Sequence, residues 1–390
     1  VSHTVFKTEA LQEARPEIVM VGVQTPFMTV AIPGMIAYLA AGNAWVMEGS
    51  TGNRRPMVTT GDLDGRVFEL SPDGSWLLFT RQPETGEEGE EERINVLQMV
   101  NTNEISPEPI RLGVENVIHY AGWVSNLPRT LAYSTVEPRS TAPGWQANND
   151  LRRLSFNEDG RVVQDKLLVE PNSGGIYGWW GTVFAWSPDG KRTAYARPDS
   201  VGLVNTAEGS LFPLLDIIPL QTRSDWAWVP GLGWSADHRI LYTVNHAPKS
   251  GLSSDEASPL FDLTALVPES ELIIPIAPQT GMFAYPSPSP LYGGAREMVA
   301  YLQAVFPEKS ESSRYRVIVM DRDGSNRIVV FPPEGSPGIE PQQIAWMPDR
   351  GDPTLQLALI YQGNLWLVYP DTLDSQQITG DGSIERMDWK

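Results

Sequence analysis

The chain has 390 residues, of which 41% are hydrophobic, and a formal net charge of −19 from 48 acidic and 29 basic residues. A surface this negative repels phosphate backbones, so nucleic acid is excluded as an expected partner. The sequence contains no cysteine, which excludes disulfides and thiolate chemistry. No apolar run approaches the ~18 residues of a spanning helix, so we expect no membrane span.

Residues 1–30 are expected to form an N-terminal extension, and residues 31–390 a single domain. The extension includes an alternating apolar stretch at 18–23 that could add a strand or cover a sheet edge. The chain starts at Val1. This start is compatible with an exported, periplasmic or cell-surface protein, and with a lipid anchor upstream of Val1.

A four-residue turn sequence occurs twice in the chain. Ser-Pro-Asp-Gly stands at 71–74 and again at 187–190, each time between apolar stretches. Serine opens such a turn, proline presets φ, aspartate tolerates the next position and glycine takes the left-handed one. The sequence therefore predicts a tight hairpin at both places, with strands over Thr182–Ser187 and Lys191–Arg197 at the second.

Imperfect copies of this unit recur about every 45–60 residues. A large apolar residue marks one position of each copy: Leu70, Trp123, Trp186, Trp234, Tyr285, Trp346 and Trp389. Each unit also contains further short strands, such as those on either side of the Asp-Gly turn at 321–326. A period of this length filled with short strands is typical of a β-propeller.

The two ends of the chain determine how the ring closes. Residues 36–60 resemble the last three strands of a blade whose first strand is missing, and Ile384–Trp389 forms an unattached first strand. Pairing them removes open sheet edges. We therefore predict an all-β, seven-bladed propeller of four-stranded antiparallel blades, closed by the C-terminal strand, with six or eight blades as alternatives.

The motifs carry a family resemblance over roughly residues 36–390. Trp-Ser-Pro-Asp-Gly-Lys at 186–191, Asp-Arg-Asp-Gly-Ser-Asn at 321–326 and Gln-Ile-Thr at 377–379 are similar to the TolB-type, WD40-like (PD40) propeller repeat. The resemblance implies an exported or periplasmic bacterial protein whose propeller is a binding platform. Related propellers cap serine peptidases of the prolyl oligopeptidase type.

The sequence shows no catalytic constellation. The string Gly231-Leu232-Gly233-Trp234-Ser235 lacks the glycine that follows the serine in a nucleophile elbow, and it falls at a hairpin position. None of the four histidines has a partner at metal-ligand spacing. We therefore predict no enzymatic activity, no metal and no cofactor.

Long connections are predicted on one face of the ring. If the strands of each blade are labelled A to D from the axis outward, the long loops join mostly B to C, and the aromatic-rich connections join D to the next A. Long loops on a rigid scaffold are where binding residues concentrate. The candidate binding residues are Trp145, Tyr177, Trp179, Trp180, Asp225, Trp226 and Trp228.

Three functions follow from this prediction. The first is a non-catalytic platform for a protein or peptide partner on the B–C/D–A face. The second is carbohydrate binding or processing on the same face, where Asp225 would be the candidate acid. The third is a structural subunit of an exported assembly. Several of the tryptophans could instead be buried starts of inner strands, with Trp145 expected to be the most exposed.

Overall fold

The computed structural model describes residues 32–83, 93–172, 181–294, 296–349, 351 and 354–390. The predicted N-terminal extension and the acidic run at 84–92 lie outside these residues. Apart from two single-turn 3₁₀ helices at Asp255–Ala257 and Pro307–Lys309, the regular structure of the described part is β-strand. Its strands are β1 (Met35–Ala40), β2 (Asn43–Glu48), β3 (Arg54–Val58), β4 (Leu63–Leu70), β5 (Trp76–Arg81), β6 (Val96–Asn101), β7 (Ile110–Glu115), β8 (Ala121–Trp123), β9 (Thr130–Tyr133), β10 (Val136–Pro138), β11 (Trp145–Ala147), β12 (Leu151–Phe156), β13 (Val162–Val169), β14 (Val183–Trp186), β15 (Thr193–Arg197), β16 (Ser200–Asn205), β17 (Ser210–Asp216), β18 (Leu232–Trp234), β19 (Leu241–Ala247), β20 (Leu260–Val267), β21 (Leu272–Ala277), β22 (Ser287–Pro288), β23 (Met298–Ala304), β24 (Tyr315–Asp321), β25 (Ile328–Phe331), β26 (Ala345–Trp346), β27 (Leu357–Tyr361), β28 (Asn364–Tyr369), β29 (Asp374–Gln377) and β30 (Ile384–Trp389).

The strands form seven four-stranded antiparallel sheets, which are the blades. Blade 1 has the order β30-β1-β2-β3 from the axis outward, and blade 2 has β4-β5-β6-β7. Blade 3 is β8-β9-β12-β13, because a separate hairpin, β10-β11, is inserted between its second and third strands. Blades 4 to 7 each take four consecutive strands from β14 to β29. The predicted seven-bladed propeller is confirmed, and the alternatives of six or eight blades are wrong.

The C-terminal strand closes the ring as predicted. β30 runs antiparallel to β1, pairing Trp389 with Ile36 and Met387 with Tyr38. Trp389 is 2% exposed, and its indole Nε1 donates to the Pro33 carbonyl at 2.8 Å. The Asp388 carboxylate accepts from the Leu70 amide at 2.8 Å, which ties blade 1 to blade 2. Both the backbone ladder and side chains therefore hold the two ends of the chain together.

The Ser-Pro-Asp-Gly turns are held by a serine that bonds in two directions. Ser187 Oγ donates to Asp189 Oδ1 at 2.6 Å and accepts from the Arg192 amide at 3.0 Å. Ser71 makes the same pair of bonds, to Asp73 and from Trp76. Gly190 has a φ of 69°, and a Cβ built there would lie 2.0 Å from the Ser125 carbonyl oxygen of the neighbouring blade. Glycine is needed at this position for both conformation and space.

Marker tryptophans connect adjacent blades through their indole nitrogens. Trp123 donates to the Glu69 carbonyl at 3.2 Å, Trp234 to the Ala185 carbonyl at 3.0 Å, and Trp346 to the Ser287 carbonyl at 2.7 Å. In each case the acceptor lies on the inner strand of the preceding blade. The repeat therefore places an aromatic side chain where it can pack between blades and also satisfy an inner-strand carbonyl.

One marker was assigned wrongly from the sequence. The inner strand of blade 6 is only Ser287–Pro288, so Pro288 and not Tyr285 occupies the position equivalent to Trp186. Ser289 confirms this register, because its amide donates to the Met298 carbonyl and its Oγ accepts from the Met298 amide. The sequence contains several Ser-Pro pairs in a row here, and they conceal the true turn.

The long connections lie where the sequence predicted them. Residues 82–95, 134–150, 248–259 and 305–314 join the second and third strands of blades 2, 3, 5 and 6. Blades 1, 4 and 7 have only two residues at the same place. The long loops therefore lie on the B–C/D–A face, and the opposite face of the ring consists mostly of tight turns.

We expect Trp389→Ala to destabilise the protein by about 3–5 kcal/mol, because it removes a buried aromatic side chain at the closing seam. Urea unfolding followed by circular dichroism measures the effect. Glu385→Ala, at an exposed position of the same strand, is the matched control and should change the free energy of unfolding by less than about 0.5 kcal/mol. Equal effects of the two substitutions would show that the buried contacts between β30 and β1 do not stabilise the protein more than an exposed position does.

Candidate functional site

Trp145 lies on the inserted hairpin of blade 3 and is half-buried. Its indole Nε1 donates to His119 Nε2 at 3.2 Å, and the Arg66 guanidinium carbon lies 5.5 Å from its ring centroid. Because Nε2 of His119 accepts this bond, Nδ1 carries the proton of the neutral imidazole. Trp145 was expected to be the most exposed of the tryptophans, and its ring lies against the Arg66 guanidinium and meets the His119 imidazole edge-on, with 6.2 Å between ring centroids. Its hairpin is thereby fixed to the D–A connection that carries His119.

The other candidates occupy the D–A connection between blades 4 and 5, or lie outside the described part of the chain. Asp225 is exposed, and Trp226 is half-buried. Trp228 is 3% exposed, and its Nε1 donates to the Met282 carbonyl at 2.9 Å. Trp228 is therefore mainly a core residue, in agreement with the alternative that some of these tryptophans are buried. The remaining candidates, all outside the described residues, are Tyr177, Trp179 and Trp180.

An open aromatic cleft of about 380 Å³ lies between blades 5 and 6 on the B–C/D–A face. The residues that line it are Trp226, Ala227, Trp228, Val229, Phe283, Tyr285 and Glu311. The rings of Phe283 and Tyr285 stack at 5.9 Å between centroids, with 24° between their planes. The cleft thus combines the predicted Trp226 with three residues that sequence reasoning missed: Phe283, Tyr285 and Glu311.

The floor of this cleft is held rigidly. Trp228 packs edge-to-face on Phe261 at 4.8 Å, His246 stacks on Phe261, also at 4.8 Å, and the Trp228 and His246 rings meet edge-to-face at 6.3 Å. The His246 ring nitrogens lie 2.6 Å from the Ile218 carbonyl and 2.7 Å from the Ser258 carbonyl. This buried histidine therefore joins a D–A connection to a B–C loop beneath the cleft.

Tyr285 has a strained backbone. Its φ of 42° lies in the left-handed region, which a bulky residue seldom adopts. A Cβ built on Gly231 would lie 3.2 Å from Tyr285 Cδ1, so the glycine leaves room for the ring. Strain of this kind persists only where the surrounding structure enforces it, and it is concentrated at functional sites. The alternation of Phe283 and Tyr285 before a proline was the only feature of the sequence that indicated these site residues. The assignment of Tyr285 as a marker of the repeat concealed it.

The aromatic cleft adjoins a central channel of about 780 Å³. Val229 and Tyr285 line both spaces. The channel wall comes from blades 2 to 7 and includes five prolines, Pro72, Pro188, Pro230, Pro286 and Pro288. No carboxylate, lysine or arginine is among its lining residues, and His119 is its single imidazole. Despite the net charge of −19, the described channel lining is uncharged at neutral pH.

A charged group lies beside this channel at the seam of blades 1 and 2. Lys390 Nζ lies 3.4 Å from Asp388 Oδ1, and both residues line a second, smaller cavity that shares Pro72 and Pro288 with the channel. Burial raises the pKa of Glu69 to about 7, with the Asp388 charge adding to the shift and the Lys390 charge opposing it. Glu69 is therefore partly protonated near neutral pH.

The pKa of His119 is shifted in the opposite direction to that of Glu69. Burial lowers its pKa to about 4, and the positive charge of Arg66 adds to this effect. The imidazole is therefore neutral at pH 7. It can accept a hydrogen bond from Trp145, but it adds no positive charge to the channel.

Within the described residues, no group of three or more His, Asp or Glu side chains is placed to hold a metal ion. None of the helices in the described ranges has the length and apolar character needed to cross a bilayer.

Comparison with known proteins shows similarity in fold. No protein-family model matches the sequence, and no curated protein does. An oligogalacturonate lyase solved with manganese is similar at a TM-score of 0.54 and 12% identity, with 85% of this chain and 84% of that chain covered. The periplasmic gluconolactonase of Pseudomonas aeruginosa is similar at a TM-score of 0.50 and 13% identity, with 91% of this chain and 98% of that chain covered.

TolB from Acinetobacter baumannii is also similar, at a TM-score of 0.43 and 14% identity. The alignment covers 76% of this chain and spans 63% of the TolB chain. The predicted TolB-like architecture is confirmed at the level of the propeller fold, on the blades and turns described above. The solved propellers of similar fold include enzymes, so the fold alone does not determine the function.

We expect the stability contributed by neutral His119 to be lost in acid. In the unfolded chain a histidine binds a proton below about pH 6.5, whereas folded His119 does so only near pH 4. Between these values the unfolded state binds more protons, so stability falls as the pH falls, by up to about 3 kcal/mol. Unfolding free energies of wild type and His119→Gln at pH 4.5 to 8 measure this difference. Parallel curves would contradict it.

We expect Glu69 to give a pH dependence of stability opposite to that of His119. Its raised folded pKa of about 7 means that the folded state holds the extra proton between about pH 4.5 and 7. The contribution of protonated Glu69 to the free energy of unfolding is therefore lost as the pH rises through this window. Relative to Glu69→Gln, wild type should become less stable from pH 5 to pH 7.5, and Glu385→Gln controls for the loss of one negative charge. A constant difference between Glu69→Gln and wild type would refute the assignment.

Proposed function

We propose that this protein is a non-catalytic binding propeller that takes a segment of a protein or peptide partner on its B–C/D–A face. The observation that carries the proposal is the aromatic cleft, which opens beside a largely uncharged channel. Half-buried Trp226, Phe283 and Tyr285 expose ring surface there, while Trp228 and the buried His246 fix the floor. Aromatic anchors on a rigid frame are the usual centre of a protein interface.

The architecture of this face supports a macromolecular partner. The long B–C connections of blades 5 and 6 lie on the cleft side of the ring, and they are joined by the Lys249–Glu308 ion pair at 2.7 Å. The channel lining offers no carboxylate pair for acid–base chemistry. An exported location is part of the proposal, and the periplasmic gluconolactonase of similar fold and the sequence repeat support it.

Carbohydrate binding is the second candidate, and Trp226 is the observation that favours it. A half-buried indole in an open cleft can stack on a sugar ring. The net charge of −19 restricts this candidate to uncharged glycans, because an acidic sugar would be repelled. A glycan array distinguishes the two functions, since a protein-binding platform should give no hit that Trp226→Leu abolishes.

Site-directed photo-crosslinking tests the main proposal. A benzoylphenylalanine placed at Leu252, which is exposed on the B–C loop of blade 5, should capture a distinct partner from envelope extracts of the source cells. The same group at Lys191, in an exposed turn of the opposite face, is the matched control and should not capture that partner. Trp226→Leu should reduce the yield at Leu252 at least about three-fold, because a central aromatic anchor contributes about 1 kcal/mol or more. Equal capture from both faces, or capture that is insensitive to Trp226, would contradict the proposal.

A further inference from the structure

The aromatic cleft carries one formal charge among its lining residues, and that charge is negative. Three partly accessible rings, Trp226, Phe283 and Tyr285, surround a space that Glu311 also lines. Among the described residues that line it there is no lysine or arginine. The faces of aromatic rings are electron-rich, so rings grouped around one carboxylate form an environment that favours a cation.

We infer that this cleft recognises a cationic side chain, an alkylammonium or a guanidinium group, presented by the partner. This inference rests on the proposed function, and it specifies the chemistry of the segment that enters the cleft. The cationic head would lie between the Trp226 ring and the Glu311 carboxylate, and its aliphatic stem would pack on Phe283 and Val229. Lysine and arginine both carry an apolar stem beneath a charged head, which matches these two surfaces.

The position of Glu311 is fixed by its loop. The hydroxyl of Tyr315 donates to the Ser310 carbonyl at 2.7 Å, and Ser310 itself is buried. Ser313 Oγ accepts from the Phe306 amide at 2.9 Å, which closes the same loop. The backbone on both sides of Glu311 is therefore held, so the loop that carries this residue needs little ordering when a ligand binds.

Electrostatics at longer range favour the same ligand. The net charge of −19 attracts a positively charged segment and raises its association rate at low ionic strength.

The direct test uses matched small probes on the intact protein. N-acetyl-lysine methylamide and N-acetyl-arginine methylamide carry the two cationic heads, and N-acetyl-norleucine methylamide is the neutral control of similar shape. Binding is followed by NMR through the indole N–H signal of Trp226, identified from its loss in Trp226→Phe. We expect at least one cationic probe to shift this signal and to bind at least about five-fold more tightly than the norleucine probe, since a cation–π contact contributes about 1 kcal/mol.

Two variants and salt distinguish the cleft from general charge attraction. Glu311→Gln, at an exposed position, should weaken the cationic probe about three-fold and leave the norleucine probe unchanged. Glu334→Gln, at an exposed position of the next D–A connection, removes the same charge away from the cleft and should have a smaller effect. Equal binding of the three probes, or equal effects of Glu311→Gln and Glu334→Gln, would overturn the inference. In that event, partner capture from Leu252 would still support the proposed function, and loss of that capture would reject it separately.

Discussion

The whole structure depends on the closure of one ring by the pairing of β30 with β1. An open propeller would leave facing edges of β1 and β30 without hydrogen-bond partners, and it would separate the inner strands that line the channel. The register that pairs Trp389 with Ile36 also places Asp388 within 2.8 Å of the Leu70 amide. Closure therefore joins blade 1 to blade 2 and determines which side chains face the axis. The cleft and the channel exist only because the inner strands are held in this circle.

Inside the ring, the same inter-blade contact is repeated with small variations. Indole nitrogens of Trp123, Trp234 and Trp346 each bond to a carbonyl of the preceding inner strand. Blade 6 departs from the pattern because its inner strand is only Ser287–Pro288. The chain before this short strand takes a strained left-handed conformation at Tyr285. The irregular blade is also the one that borders the cleft, so the departure from the repeat and the candidate site coincide.

Charge is distributed unevenly over the molecule. The chain is strongly acidic overall, yet the described lining of the channel has no carboxylate, and that of the cleft has only Glu311. Two titratable groups near the axis, Glu69 and His119, are shifted towards their neutral forms, since burial raises the pKa of Glu69 to about 7 and lowers that of His119 to about 4. The result is an acidic exterior around an apolar interior. Such a surface attracts a cationic segment from a distance and binds it through contact with aromatic rings.

The sequence by itself determined the fold class, the blade number, the closing strand and the face with the long connections. These features follow from local rules: turn chemistry at 71–74 and 187–190, alternation of apolar residues, and a repeat that is filled with short strands. Trp226 was also found in this way. The cleft was not, because Phe283, Tyr285 and Glu311 lie on two separate connections that approach Trp226 only after blades 5 and 6 pack side by side. Burial was likewise decided by the tertiary structure, since Trp228 lies in the core and Trp226 only two residues away lines the opening, and no local pattern separates them.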